Sequence, residues 1–185
     1  MAPDPVDDRL DAPIPVPEAL RTILASSFYI RATVIRRNGH PRTVEMTYFW
    51  DGANHIYFSG YPGKRDWVAS MTRHPALTVH TVEGDRWFDI PARARVLRNR
   101  NERLPHLLAY IDHWAKRPGY PRWQIRLFLG AIRCNRGLRL PWWGPFLYVR
   151  RMLDRMPCVE VTFTGPAVDR PGGPPALSEP REGRP

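Results

Sequence analysis

Apolar residues along this chain come in two rhythms, and the change from one to the other divides it. A short helical stretch, PEALRTILA at 17–25, comes first; Pro17 suits its opening position, where a missing N–H is harmless. Ser27 to Arg37, SFYIRATVIRR, is dense in β-branched and aromatic residues, the composition of a strand. Asn38-Gly39 then makes a hairpin turn into a second run, Arg42 to Trp50, in which Val44 and Met46 alternate with Glu45 and Thr47. Asp51-Gly52 repeats the device before His55 to Ser59, so an antiparallel meander of three strands is predicted. Gly60-Tyr61-Pro62-Gly63 interrupts the pattern. Lys64 to Arg73 has helical spacing, with Trp67, Val68 and Met71 together, and His74-Pro75 ends it because the residue before a proline avoids the helical region. Ala76 to Val82 and Arg86 to Leu97, joined by Glu83-Gly84-Asp85, read as two more strands.

At residue 99 the period lengthens. Leu104, Leu107, Leu108, Ile111 and Trp114 line one helical face, Pro118-Gly119-Tyr120-Pro121 breaks it, and Trp123 to Arg133 is helical again. A third segment after Pro145 carries Phe146, Val149, Met152 and Leu153, and Cys158 to Thr164, CVEVTFT, alternates as a closing strand. Six strands with short helices and a helical block at about 99–156 predict a mainly β, α+β protein of barrel type, one domain over 17–165. Residues 1–16 and 166–185, rich in proline with little to bury, are expected to be disordered tails.

The net charge of +10 matters once it is located. Residues 99–156 contain twelve Arg or Lys against three Asp or Glu, so nearly all the excess lies in the helical block. Such a field attracts an anionic ligand, a nucleic acid or an acidic membrane surface; a solvated arginine-rich face gives the same count. No apolar run reaches the roughly 20 residues of a membrane span, and the acidic, proline-rich MAPDPVDDRLDAP lacks the apolar centre of a signal peptide. Cys134 and Cys158 are therefore expected as reduced thiols in a cytoplasmic protein. The six histidines show no metal-ligand spacing, and there is no CxxC, G-x-S-x-G or G-x-G-x-x-G. Nothing suggests acid–base or nucleophilic chemistry by the protein itself, which suits an enzyme whose cofactor carries the reaction.

The most informative stretch is YFSGYPGKRDWVASMTRHPALTVH, Tyr57 to His80. A strand ends in Ser59, a glycine-bearing loop follows, and Lys64-Arg65 opens a helix; N–H groups at a helix start beside two cations and a hydroxyl suit a phosphate. With the Trp-Asp-Gly turn before it and His-Pro after it, this order resembles the pyridoxamine 5′-phosphate oxidase-like superfamily of FMN-binding split β-barrels and their deazaflavin F420-dependent relatives, over about residues 27–98. His74-Pro75 stands where those proteins commonly have Asn-Pro.

The resemblance implies a six-stranded antiparallel split barrel that pairs as a homodimer and acts as an oxidoreductase on a small organic substrate, with FMN, or alternatively F420, as cofactor. It implies that Ser59, Lys64 and Arg65 bind the cofactor phosphate, that Val44, Glu45, Met46 and Thr47 lie along the ring, and that Tyr61 and Trp67 pack nearby. Glu45 is awkward beside an anionic cofactor, and alternation lets only one of the pairs Val44/Met46 and Glu45/Thr47 face the ring. A non-catalytic flavin or haem sensor on the same barrel is the alternative, with a peripheral membrane or nucleic-acid protein beyond it. The minimal barrel has no helical block of this size. Its arginines and aromatics fit a lid over the ring, an anion site, or a membrane-surface anchor through Trp142-Trp143 with Arg139, Arg150 and Arg151. The absence of any recognised RNA or DNA motif argues against nucleic acid.

Overall fold

The computed structural model describes residues 14–60 and 66–178. Its elements run α1 (Glu18–Ser26), β1 (Tyr29–Ile35), β2 (Pro41–Trp50), β3 (His55–Ser59), α2 (Asp66–Arg73), β4 (Ala76–Thr81), β5 (Phe88–Val96), α3 (Arg100–Trp114), α4 (Arg122–Gly137), α5 (Pro145–Arg155), β6 (Val159–Phe163) and β7 (Val168–Asp169). The strands pair in the order β4-β1-β2-β3-β6-β5, all antiparallel, and β4 pairs again with β5. That last pairing closes six strands into a barrel and removes the open edges a sheet would otherwise expose. The predicted meander is β1-β2-β3, in a register that sets Tyr29 opposite Thr47 and Thr47 opposite Ser59.

Strand alternation sorts side chains between two cores. Inward residues, among them Ile30, Ala32, Val34, Met46, Tyr48, Phe58, Val79, Ile90, Val161 and Phe163, fill the barrel, which α1 closes with Leu20 and Leu24 and α2 with Met71. Tyr48 is fully buried and donates its hydroxyl hydrogen to the Leu24 carbonyl at 3.0 Å. The second core lies outside the barrel, where Tyr57 and Cys158 meet Leu104, Leu107 and Leu108 of α3, Leu129 and Ile132 of α4, and Val149 and Leu153 of α5. The helical block is thus packed onto the barrel's outer wall and helps define the surface beside β2 and β3.

Much of the expected C-terminal tail, 166–178, is tied down rather than disordered. Val168–Asp169 pairs with β5, Arg170 grips Asp89, the Pro175 carbonyl accepts from Arg31 at 2.7 Å, and the Ser178 hydroxyl accepts from the Thr43 N–H at 2.9 Å. Hydrogen bonds to strand edges and an ion pair supply what the segment lacks in apolar surface, which a reading based on proline content and hydrophobicity misses. At the other end, Ile14 and Val16 pack against the barrel core, so the last residues of the expected N-terminal tail also belong to the domain.

Candidate functional site

A cavity of about 280 Å³ lies against the outer wall of the barrel, lined by Glu45, Met46, Thr47, Ser59, Gly60, Trp67, Tyr110 and Trp114. β2 and β3 supply its back, α2 one side through Trp67, and α3 another through Tyr110 and Trp114.

Alternation on β2 decides which pair faces out. Met46 is 6% exposed and belongs to the barrel core, and Val44 packs against that core. Glu45 and Thr47 are therefore the outward pair on the cavity side. Arg31 on the neighbouring strand pairs with Glu45 at 3.3 Å, which offsets its negative charge. Thr47 donates its one hydroxyl hydrogen to the Ser59 carbonyl at 2.9 Å, so the 2.7 Å contact with Tyr110 Oη is donated by the tyrosine. This pair of bonds ties α3 to the seam between β2 and β3. Ser59 is 3% exposed, and its hydroxyl donates to the Pro157 carbonyl at 2.8 Å. A buried hydroxyl needs a partner, and this one finds it within the chain, joining the end of β3 to the residue leading into β6. Trp67 packs edge-on to Phe58 at a centroid distance of 6.4 Å. Tyr61, Lys64 and Arg65 lie outside the described residues.

Trp114 was legible only as a helix position, and Tyr110 was not singled out by the sequence. Trp114 falls on the apolar α3 face together with Leu107 and Ile111 and reads as core; the signal that sets the two apart is a polar atom, a hydroxyl and an indole N–H, carried on a packed aromatic face. Trp114 is held in a cage of rings, 5.7 Å from Tyr29 at near-perpendicular tilt and 6.2 Å from Tyr110, with the Arg117 guanidinium 5.3 Å from its ring centre. Its Nε1–H is buried and has no hydrogen-bond partner among the described residues. An orphaned buried donor is costly, on the order of 1–3 kcal/mol, unless a ligand or water completes it. The cavity thus combines flat aromatic walls with a hydroxyl pair, and Trp114, one of the residues lining it, carries an enclosed unpartnered donor; the aromatic walls suit a planar heteroaromatic ring.

None of the six histidines lines this cavity. His113 gives its Nε2 hydrogen to the Ser27 carbonyl at 2.9 Å, and burial pushes its pKa down. His106 stacks on Tyr57 with ring centres 3.9 Å apart. Beyond α2 a larger and more open cleft of about 710 Å³ is bordered by Arg73, Arg98, Arg103 and Arg155, with Asp66 and Asp154. Among the described residues it has no aromatic wall, and Arg103 is already paired with Asp154 at 3.3 Å.

No protein-family model and no curated protein matches the sequence. Solved structures do. The chain is similar to a conserved hypothetical protein of Mycobacterium tuberculosis, with 16% identity and a TM-score of 0.56 over 92% of this chain and 96% of that one. It is similar to a pyridoxamine 5′-phosphate oxidase-related, FMN-binding protein of Nostoc punctiforme, with 12% identity and a TM-score of 0.50 over 84% and 82%. A chain described as an F420 reductase overlaps more loosely, with 17% identity and a TM-score of 0.47 over 88% and 98%. At such identities the likeness concerns architecture: the closed six-stranded barrel is the split-barrel fold of pyridoxamine 5′-phosphate oxidase-like proteins.

Proposed function

We propose that this chain is a flavin- or deazaflavin-dependent oxidoreductase, with FMN as the favoured cofactor and F420 as the alternative, acting on a small organic substrate. The observation that carries this reading is an aromatic-walled cavity on the outside of a split barrel, one of whose lining residues, Trp114, has an unpartnered indole N–H. The likeness in fold to an FMN-binding protein supports it. When bound, the ring supplies the hydride chemistry, and the protein's part is to hold and shield it. Trp114 would donate its indole N–H to an acceptor atom of the ring once a small side-chain shift uncovers it. Trp67 and Tyr110 provide apolar walls, and the Thr47–Tyr110 pair fixes the distance between α3 and the sheet. Lys64 and Arg65, which follow Gly60 closely in sequence, anchor the phosphate. The cavity lies on the barrel's outer wall, so a second copy of the chain laid against that wall would enclose the ring; the active form is a homodimer in the cytoplasm.

One observation favours the deazaflavin. The arginine-bordered cleft beside α2 offers cationic groups to a cofactor with an acidic tail. Haem fares worse, since no imidazole lines the cavity to serve as an axial ligand.

The test is equilibrium binding of FMN and of F420 to the parent and to Trp114→Phe, with thermal melts to show that the fold is retained. Loss of one hydrogen bond of about 1–1.5 kcal/mol weakens binding roughly tenfold. Equal affinity of parent and variant for both cofactors would remove Trp114 from the site.

A further inference from the structure

The helical block leaves a face that its packing onto the barrel does not use. α4 turns Ile125, Leu129 and Ile132 inward, yet Trp123 (69% exposed), Leu127 (70%) and Leu138 (65%) point outward with exposed Cys134. Spacings of four, seven and four residues put Trp123, Leu127, Cys134 and Leu138 on one stripe of the helix. Arg122, Arg126 and Arg133, each one residue earlier than a member of that stripe, run beside it, all exposed. The connection to α5 and α5 itself carry further exposed apolar residues, Leu140, Trp143, Leu147 and Tyr148. Ring contacts hold α5 beside α4: Phe146 stacks with Phe128 at 6.2 Å and meets Trp143 edge-on at 5.5 Å. Asn135, buried, pins the turn after α4 by donating to the Leu140 carbonyl at 3.3 Å.

The charge pattern is one-sided. Residues 113–153 contain nine Arg or Lys and no Asp or Glu. We propose that this α4–α5 face docks on the surface of an anionic lipid bilayer. Arginines would engage headgroups, Trp and Tyr would sit at headgroup level, and the leucines would enter the acyl boundary. Among the described residues no helix is long and apolar enough to cross a membrane, so the contact is peripheral. A second copy is a poor occupant because two such faces would oppose cation to cation. Single-stranded nucleic acid gains from stacking on rings but nothing from four exposed leucines. The face is separate from the cavity beside β2, so this inference stands or falls independently of the cofactor.

Vesicle sedimentation tests it, using phosphatidylcholine alone and phosphatidylcholine carrying about one-third phosphatidylglycerol. The full chain is expected to pellet with the anionic vesicles and to be released when NaCl rises from about 0.1 M to about 0.5 M. Two variants at exposed positions should each weaken partitioning by about tenfold or more without lowering the melting temperature: Trp123→Ser with Leu127→Ser and Trp143→Ser, and Arg126→Gln with Arg133→Gln. Failure of the parent to bind anionic vesicles, or unchanged partitioning in either variant, overturns the proposal. So does a parent that ignores vesicles but dimerises through these residues in light scattering, or binds single-stranded RNA through them.

Discussion

Replacing Asp89 by asparagine tests how the barrel wall and the C-terminal segment are held together. Asp89 lies on β5, with Oδ1 2.6 Å from His80 Nδ1, and Arg170 reaches its two oxygens at 2.8 and 2.5 Å. His80 is 4% exposed on β4; its Nε2 lies 2.8 Å from Thr33 Oγ1 on β1, which is 2.8 Å from Thr43 Oγ1 on β2. One carboxylate therefore anchors a polar chain across four strands and also holds the residue that follows β7. Burial works to raise the Asp89 pKa, but the bonds from Arg170 and His80 outweigh it and hold the group below the ordinary carboxylate range. Asparagine keeps the shape, loses the charge and turns an NH₂ group toward one of two donors. The Arg170 pair is about one-third exposed and screened, so its loss costs roughly 0.5–1 kcal/mol. Depriving buried His80 of a charged acceptor costs roughly 1–3 kcal/mol. The total of about 1.5–4 kcal/mol corresponds, at roughly 2–4 °C per kcal/mol for a chain of this size, to a fall in melting temperature of roughly 3–16 °C. Urea and thermal unfolding of Asp89→Asn, Arg170→Ala and the double variant form a cycle, in which a coupling of about 0.5–1 kcal/mol belongs to the ion pair. An Asp89→Asn protein within about 0.5 kcal/mol of the parent would refute this account of the network.

Acid should weaken the fold before any carboxylate titrates. Burial sets the folded pKa of His113 below its unfolded value of about 6.5, so the unfolded chain takes up the proton first. The stabilisation is complete above about pH 6.5 and is lost as pH falls through the folded pKa; urea midpoints measured between about pH 5 and 8 should show this limb, and a flat profile would contradict it. Asp89 and Asp154, both with lowered pKa values, add a further loss below about pH 4. The cysteines should separate by reactivity: exposed Cys134 modifies at once in the native protein. Cys158, buried with its thiol pushed up to about 12 by desolvation, reacts only after unfolding, so two rapidly reacting thiols in the native state would contradict the packing of the outer core.

The strands were legible because their signals are local. Asn38-Gly39 and Asp51-Gly52 are turn residues, their glycines at φ of +80° and +89°, and the alternation of Val44 and Met46 with Glu45 and Thr47 identifies two faces of β2. Which face meets the cavity was not legible, because it depends on where α3 lies, and α3 is contributed some sixty residues later by a block the minimal barrel lacks. For the same reason Trp114 reads as helix core and nothing singles out Tyr110, although the first carries an orphaned donor and the second bonds Thr47. The C-terminal segment escaped because it is held by strand-edge hydrogen bonds and the Asp89–Arg170 pair, neither of which leaves a periodic pattern in the sequence.

The most direct measurement is the identity of small molecules released from protein made in a host that contains both FMN and F420. It should be made by mass spectrometry on the parent and on Lys64→Ala with Arg65→Ala. The parent should release roughly one flavin or deazaflavin per chain, and the double variant should retain little while keeping a folded circular dichroism spectrum. A colourless parent that binds neither compound on titration, or a double variant with undiminished cofactor content, would contradict the account.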